Sequence, residues 1–359
     1  MRNDFLVVIT DKIGDTHSVL NKNNIFCGES IYDIFKYKLS KKYNISEENI
    51  FDGEQNLKNE ENKPVLYILR ECFNINKKTF DIISEGKDKI FSSRKSGKIF
   101  ARFDTSQNPS RVKEVVVDYK PIKNLRELRE KNVKAQKKII ERLESSGVQF
   151  ISLNGVIVSP LAKIAEGVVI YPNTIIRGKT TIGKDCIIGP NTLIENSQLG
   201  ENCVINSTQI YSSVLENNVK VGPFCHIRPN CVIKNGVKIG DFVEVKNSTL
   251  GEVTQASHLT YIGDSDVGER VNFGCGTVTV NYDGMKKSRC TIEDDAFIGC
   301  NVNLIAPVTI GEKAFIAAGS TITKSVPDDN LAIARPREMT LKENWSAIRE
   351  KVSKIGGNQ

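Results

Sequence analysis

Histidine is scarce in this 359-residue chain, which has only His17, His226 and His258. A zinc site built on a repeat scaffold would gather three imidazoles around one ion. His17 lies far along the sequence from the other two, so no metal is expected. Long apolar runs are also missing. No uncharged stretch approaches the length that crosses a bilayer, and the start MRNDFLVVITDK lacks a basic segment, an extended apolar core and a small-residue cleavage site. The expectation is a cytoplasmic protein with no membrane contact. The nine cysteines contain no CxxC pair, are odd in number and are scattered, which argues against a disulfide framework. Cys186, Cys203 and Cys231 fall where a repeat wants small side chains, and they read as reduced, buried thiols.

The length suits two domains with ample core, and 39% hydrophobic with 26% charged residues is ordinary for a globular chain. The net charge of +7 is local: Lys120 to Arg142 holds nine Lys/Arg against three Glu. Leu125, Leu128, Ala135, Ile139 and Leu143 recur there at near-helical spacing, so the segment reads as an amphipathic helix with a solvated basic face. No aromatics interleave the charges to stack on bases, and no nucleic-acid partner is expected.

A six-residue repeat dominates the second half. Aliphatic residues stand at Ile164, Ile170, Ile176, Ile182, Ile188 and Ile194, pause, and resume at Val221, Ile227, Ile233, Ile239 and Val245. A third run occupies Ile292, Ile298, Leu304, Ile310, Ile316 and Ile322, with small residues next and Asn, Asp or Gly at the turns. Each hexad is one short strand plus a corner, and three make a triangular coil. The fold class is therefore a left-handed parallel β-helix, preceded by a small α/β domain and a linker helix. The boundaries expected are 1–105 for the small domain, 106–150 for the linker with its basic helix, 151–337 for the β-helix, and 338–359 for a closing helix with Trp345. In the first part FLVVIT and VLYILR read as buried strands. ESIYDIFKYKLSKKY reads as a helix, residues 44–63 are polar and acidic, and the run EQNLKNEENK within them reads as an exposed loop. Two places depart from the repeat. GEVTQASHLTYIG, from Leu250 to Ile262, keeps no hexad, and GCGTVTVNYDGMKKSRCT is longer than a coil step and predicts an excursion.

Two constellations carry chemistry. His258 sits in the irregular stretch ASHLTYIG, beside Thr260 and Tyr261, and its type suits a base working near neutrality; the alternative is a packed or surface histidine. Arg228 and Lys246 are eighteen residues apart, one coil, so they stack on one wall as a candidate phosphate site; the alternative is two solvated charges.

From about residue 121 to 350 the chain resembles the acetyltransferase half of bacterial bifunctional N-acetylglucosamine-1-phosphate uridyltransferase / glucosamine-1-phosphate N-acetyltransferase. The basic helix, GPFCHIRP, ASHLTYIGD, NFGCGTVTVNYDG, LIAPVTIG, FIAAGSTIT and ARPRE carry the likeness in the family's order. The resemblance implies acetyl-CoA as co-substrate, an amino-sugar phosphate as acceptor, and a homotrimer with sites between subunits. It implies His258 as general base, and Arg228, Lys246, Tyr261, Asn272 and Lys287 around the sugar phosphate. Cys275, Asn281, Tyr282, Cys300, Ala318 and Arg335 match positions that line the coenzyme site. Cys275 and Cys300 depart from the Ala and Ser usual there, which implies altered coenzyme affinity or acyl preference. The family's first half opens with a Gly-rich LxAGxGTRM loop; FLVVITDKIGDTHS has one glycine and no such loop, so uridyltransferase activity is expected to be absent from a reduced or degenerate domain. Two alternatives remain: the same chemistry on another or a nucleotide-linked amino sugar, and a non-catalytic scaffold.

Overall fold

The computed structural model describes residues 5–13, 15–21, 23–57, 63–86, 89–104 and 113–335. The expected closing helix with Trp345 lies outside these. The chain falls into two compact units, Met1–Pro223 and Phe224–Gln359.

The first unit begins with a six-stranded sheet ordered Lys113–Val117, Lys89–Ser93, Ile99–Asp104, Val65–Leu69, Leu6–Thr10, Ile50–Asp52. Leu6–Thr10 is buried throughout and runs parallel to both its neighbours, as a near-continuous aliphatic run should when covered on both faces. Helix α1 (Ile31–Tyr43) is capped by Ser30, whose hydroxyl accepts from the Asp33 N–H, and buries Ile31, Ile34, Phe35, Leu39 and Tyr43. The polar stretch 44–63 contributes the edge strand Ile50–Asp52 ahead of the expected loop, because Ile50 is apolar enough to be buried beside Val7. The sheet also takes a strand, Lys113–Val117, from within the stretch expected to be linker.

Helix α2 (Leu125–Ser145) buries Leu128, Ile139, Ile140 and Leu143, while Leu125 in its first turn is exposed. Gln136 on this helix pairs with the solenoid like a strand: its amide donates to the Val158 carbonyl at 2.8 Å and accepts from the Val158 N–H at 3.0 Å. Parallel rungs follow, Gln149–Phe150 on Val169–Ile170 on Ile187–Ile188, with two further walls built in the same way. The apparent pause after Ile194 is filled by Leu199, Ile205, Ile210 and Leu215, all buried; the interior is continuous and only the spacing tightens.

The second unit repeats this plan. Its first wall stacks Lys238–Asp241, Gln255–His258, Asn272–Phe273, Phe297–Ile298 and Phe315–Ile316. Its second stacks His226–Ile227, Glu244–Lys246, Tyr261–Gly263, Val278–Val280 and Asn303–Ile305. The aliphatic residues of the repeat point inward: Ile227, Ile233, Val245, Ile298, Leu304, Ile310 and Ile316 have no exposed surface. The stretch from Leu250 to Ile262 keeps the hexad after all. Ala256 is its interior residue, fully buried and in register with Ile239 and Phe273, and it escapes a search for larger aliphatics. The longer segment does leave the wall: Tyr282 and Lys287 pair as a small hairpin whose tip, Met285, is 93% exposed.

Truncating Ile298 to alanine removes a wholly enclosed side chain from a rung that cannot collapse without breaking its neighbours' pairing. We expect Ile298→Ala to cost about 2–5 kcal/mol, read as a lower urea midpoint. An unchanged midpoint would mean that the interior does not hold the coils together.

Candidate active site

Parallel pairing places residues from successive rungs in columns. At the corner after the first wall, Asp241 is in register with His258. Continuing the pairs Ala256 with Phe273, Phe273 with Ile298, and Ile298 with Ile316 brings Cys275, Cys300 and Ala318 into the same column. Adjacent rungs are about 4.8 Å apart, so the candidate base and three of the candidate coenzyme residues form one line. Cys300 and Ala318 are exposed and Cys275 is half-buried. Arg335 lies beside this line: its Cδ stands 3.8 Å from where a Cβ on Gly319 would be. His258 is 60% exposed, and its Nδ1 is 3.8 Å from Asp241 Oδ2. The Thr260 hydroxyl donates to the His258 carbonyl at 2.7 Å, so it steadies the corner backbone rather than the imidazole. His258 therefore occupies a regular corner, not a break in the repeat.

Three residues on, the second wall carries the cations. Arg228 donates from its backbone N–H to the Val245 carbonyl at 2.8 Å, which sets its side chain one rung from Lys246. Arg228 Nη1 donates to Glu244 at 2.9 Å, and Lys246 Nζ to Asp264 Oδ2 at 3.3 Å. The hairpin returns Lys287 to this wall. The Lys246 ammonium beside it, with Arg228 adding to the effect, holds the Lys287 amine below the ordinary lysine range. The Asp264 carboxylate, bonded to Lys246, holds the Lys246 ammonium above that range. Among the described residues, Arg228, Lys246 and Lys287 thus gather on one wall with Glu244 and Asp264.

Asp264 is the pin of this cluster, with its side chain only 8% exposed. It accepts from Asn247 Nδ2 at 2.6 Å, from Lys246, and closely from Asn281 Nδ2. Burial alone would raise its carboxyl, but these three donors outweigh burial and hold it below the ordinary aspartate range. Asn281 also donates to the Tyr261 hydroxyl at 3.3 Å, so it joins Tyr261 to the cation cluster. Tyr282 is turned outward, its hydroxyl donating to the Gly284 carbonyl at 2.7 Å. Asn272 sits on the first wall between Gln255 and Phe297.

The residues that motif reading passed over are the carboxylates Asp241, Glu244 and Asp264. For Glu244 and Asp264 the signal was present as opposite charge near the coil length, 16 residues for Arg228 and Glu244 and 18 for Lys246 and Asp264. Among the described residues no cluster of three or more His, Cys, Asp and Glu side chains is placed to hold a metal ion.

Because the Asp264 carboxyl is depressed in the folded chain, its stabilising effect is complete above its unfolded value and fades as pH falls through the folded one. We expect Asp264→Asn to lower the urea midpoint at neutral pH and to flatten the decline below the ordinary aspartate value of 3.8. Parallel midpoint-against-pH curves for the two proteins would contradict this.

The description "Bacterial transferase hexapeptide (six repeats)" matches residues 161–196, 212–247 and 289–324. Arg228, Lys246, Cys300 and Ala318 fall inside these blocks, and His258, Tyr261 and the hairpin fall between them. Among curated proteins the chain is 53% identical over 210 residues to bifunctional protein GlmU of Halalkalibacterium halodurans, covering 58% of this chain and 46% of that one. It is 43% identical over 244 residues to bifunctional protein GlmU of Clostridium botulinum, covering 67% and 53%. The chain thus spans about half the length of these relatives. Among solved structures it is similar to the UDP-N-acetylglucosamine acyltransferase of Francisella novicida, at 19% identity and a TM-score of 0.33, covering 56% of this chain and 73% of that one. The likeness read from the motifs is borne out by this sequence identity: the chain carries a transferase hexapeptide solenoid that resembles the acetyltransferase half of bifunctional protein GlmU.

Proposed function

We propose that this chain is an acetyl-CoA-dependent N-acetyltransferase acting on glucosamine-1-phosphate, a step toward UDP-N-acetylglucosamine. The observation that carries the reading is the column of His258, Cys275, Cys300 and Ala318 standing one corner away from the cluster of Arg228, Lys246 and Lys287. A wall that gathers one guanidinium and two lysine side chains suits a phosphate, which such donors bind with charge-assisted hydrogen bonds. Tyr261 and Asn272 hold the sugar on either side of the corner.

In the reaction the acceptor's amine nitrogen forms a bond to the thioester carbonyl carbon. His258 takes the proton that the nitrogen loses, the backbone N–H of Cys275 stabilises the oxyanion, and the carbon–sulfur bond then breaks to release the coenzyme thiol. Cys300, Ala318, Asn281, Tyr282 and Arg335 line the donor's path, with the Arg335 guanidinium toward its phosphates. A thiol at Cys300 is a weaker donor than a hydroxyl, and its effect falls on coenzyme affinity or acyl preference. No metal enters this scheme. Neighbouring copies of the chain complete each site in a homotrimer, and the protein works in the cytoplasm.

We assign no uridyl transfer to the first domain. After Leu6–Thr10 the chain makes a tight antiparallel pair, Lys12–Ile13 with Thr16–His17, where a phosphate-cradling loop would be needed. Residues 1–105 and the linker to 150 remain, in this reading, a reduced relative of a nucleotidyltransferase joined to the catalytic solenoid.

The test is steady-state acetylation of glucosamine-1-phosphate by wild type and His258→Ala. We expect turnover to fall roughly a hundredfold or more, within the range for removing a general base; near-equal rates would take His258 out of the mechanism. Coenzyme release measured across a panel of amino sugars and nucleotide-linked amino sugars identifies the acceptor, and no release with any of them would favour a scaffold.

A further inference from the structure

The imidazole of His258 has two nitrogens, and a base needs one of them free. Which one is free depends on what the other meets. Nδ1 faces Asp241, whose Oδ2 is 3.8 Å away, and the two side chains are 60% and 49% exposed. That spacing is longer than a hydrogen bond, which closes at about 2.7–3.2 Å. Both side chains have room to turn, and such contacts often tighten only when substrate is bound.

The backbone around the pair is held more firmly than elsewhere on the wall. Lys238–Asp241 and Gln255–His258 are four-residue strands, whereas the other first-wall rungs of this unit, such as Asn272–Phe273 and Phe297–Ile298, have two. The added length continues the pairing as far as Asp241 and His258 themselves. The Leu259 N–H then donates to the Asp241 carbonyl at 2.9 Å, closing the corner beyond them. Asp241 is thus carried at a set height beneath the imidazole. Cys275 occupies the corresponding corner above, and Tyr261 lies three residues further along the chain.

We infer that Asp241 is a positioning residue for His258, keeping the imidazole as the Nδ1–H tautomer so that the Nε2 lone pair is the one that takes the amine proton. This rests on the acetyltransferase reading of the site. A carboxylate can only accept, so the nitrogen it faces must be the one that carries hydrogen. The proton leaving the acceptor's amine then goes to Nε2. The charge that develops on the ring then lies against the Asp241 carboxylate. Asp241 acts through His258, and its effect belongs in turnover rather than in acceptor binding.

The experiment combines a spectroscopic and a kinetic readout on the full chain. Nitrogen-15 labelling of histidine gives only three imidazoles to assign, and in alkaline buffer the shifts of the two ring nitrogens report the tautomer directly. We expect His258 to be predominantly Nδ1–H in the wild type and to move to the Nε2–H form, which an unrestrained imidazole favours, in Asp241→Ala. Asp241→Asn keeps a carbonyl acceptor and should fall between them. Turnover should drop about tenfold or more in Asp241→Ala, as for loss of a group that orients a functional histidine, with KM for the acceptor within a factor of about two. The same tautomer in wild type and Asp241→Ala, or unchanged turnover in an active enzyme, would overturn the inference. If the tautomer moves but the wild type acetylates no amino sugar, Asp241 still orients His258, and it is the acetyltransferase reading that fails.

Discussion

The solenoid depends on one constraint: the backbone N–H groups of each rung are taken by the carbonyls of the next, in unbroken parallel register. The Phe297 N–H bonds to the Ala314 carbonyl, and the Gly299 N–H to that of Ile316, both at 2.9 Å. With the interior closed by side chains such as Ile262, Ile298 and Ile316, a coil cannot slip without moving its aliphatic residue out of the core. Extra residues are accepted only where the chain can leave one rung and rejoin the next in step. That happens between Val278–Val280 and Cys290–Ile292, where the hairpin intervenes and Val267 still pairs with Ile292.

The same constraint builds the site. A side chain at a corner has fixed neighbours one coil before and one coil after, so chemistry scattered over about a hundred residues is collected into a column and a cluster. The cations are the more demanding part of this. Lys246, Lys287 and Arg228 repel one another, and the arrangement persists because Asp264 is buried among three donors and Glu244 pairs with Arg228. The buried carboxylate keeps Lys246 in place, while Lys287 stands exposed on the hairpin.

The first unit obeys a different logic. Its sheet is assembled from strands distant in sequence, with Arg70 buried at the ends of three of them and bonded to Asp11 and Asp52 at 2.6 Å each. Its first residues are tied to the early coils and to α2 through side chains: Glu29 accepts from the Gly178 N–H, and the Cys27 N–H donates to Asn132 Oδ1 of α2. No repeat governs those pairings, and each depends on a single polar residue.

The sequence alone determined the solenoid, its inward-facing aliphatic residues and the stacking of Arg228 on Lys246, because a six-residue period leaves little choice about which side chain fills each coil. It also located α1 and the strands Leu6–Thr10 and Val65–Leu69 through their burial patterns. It misplaced the character of Leu250 to Ile262, since Ala256 fills the interior without looking like a member of the repeat. It gave no sign of the edge strand Ile50–Asp52, because Ile50 stands in a polar stretch and pairs with Val7, distant in the chain. Only the tertiary structure decided that Asp264 joins Lys246, Asn247 and Asn281, that Lys287 returns beside Lys246, and that Asp241 lies under His258. Those contacts arise when an excursion folds back or when two rungs come into register, and their energy depends on burial and distance, which no local pattern in the chain records.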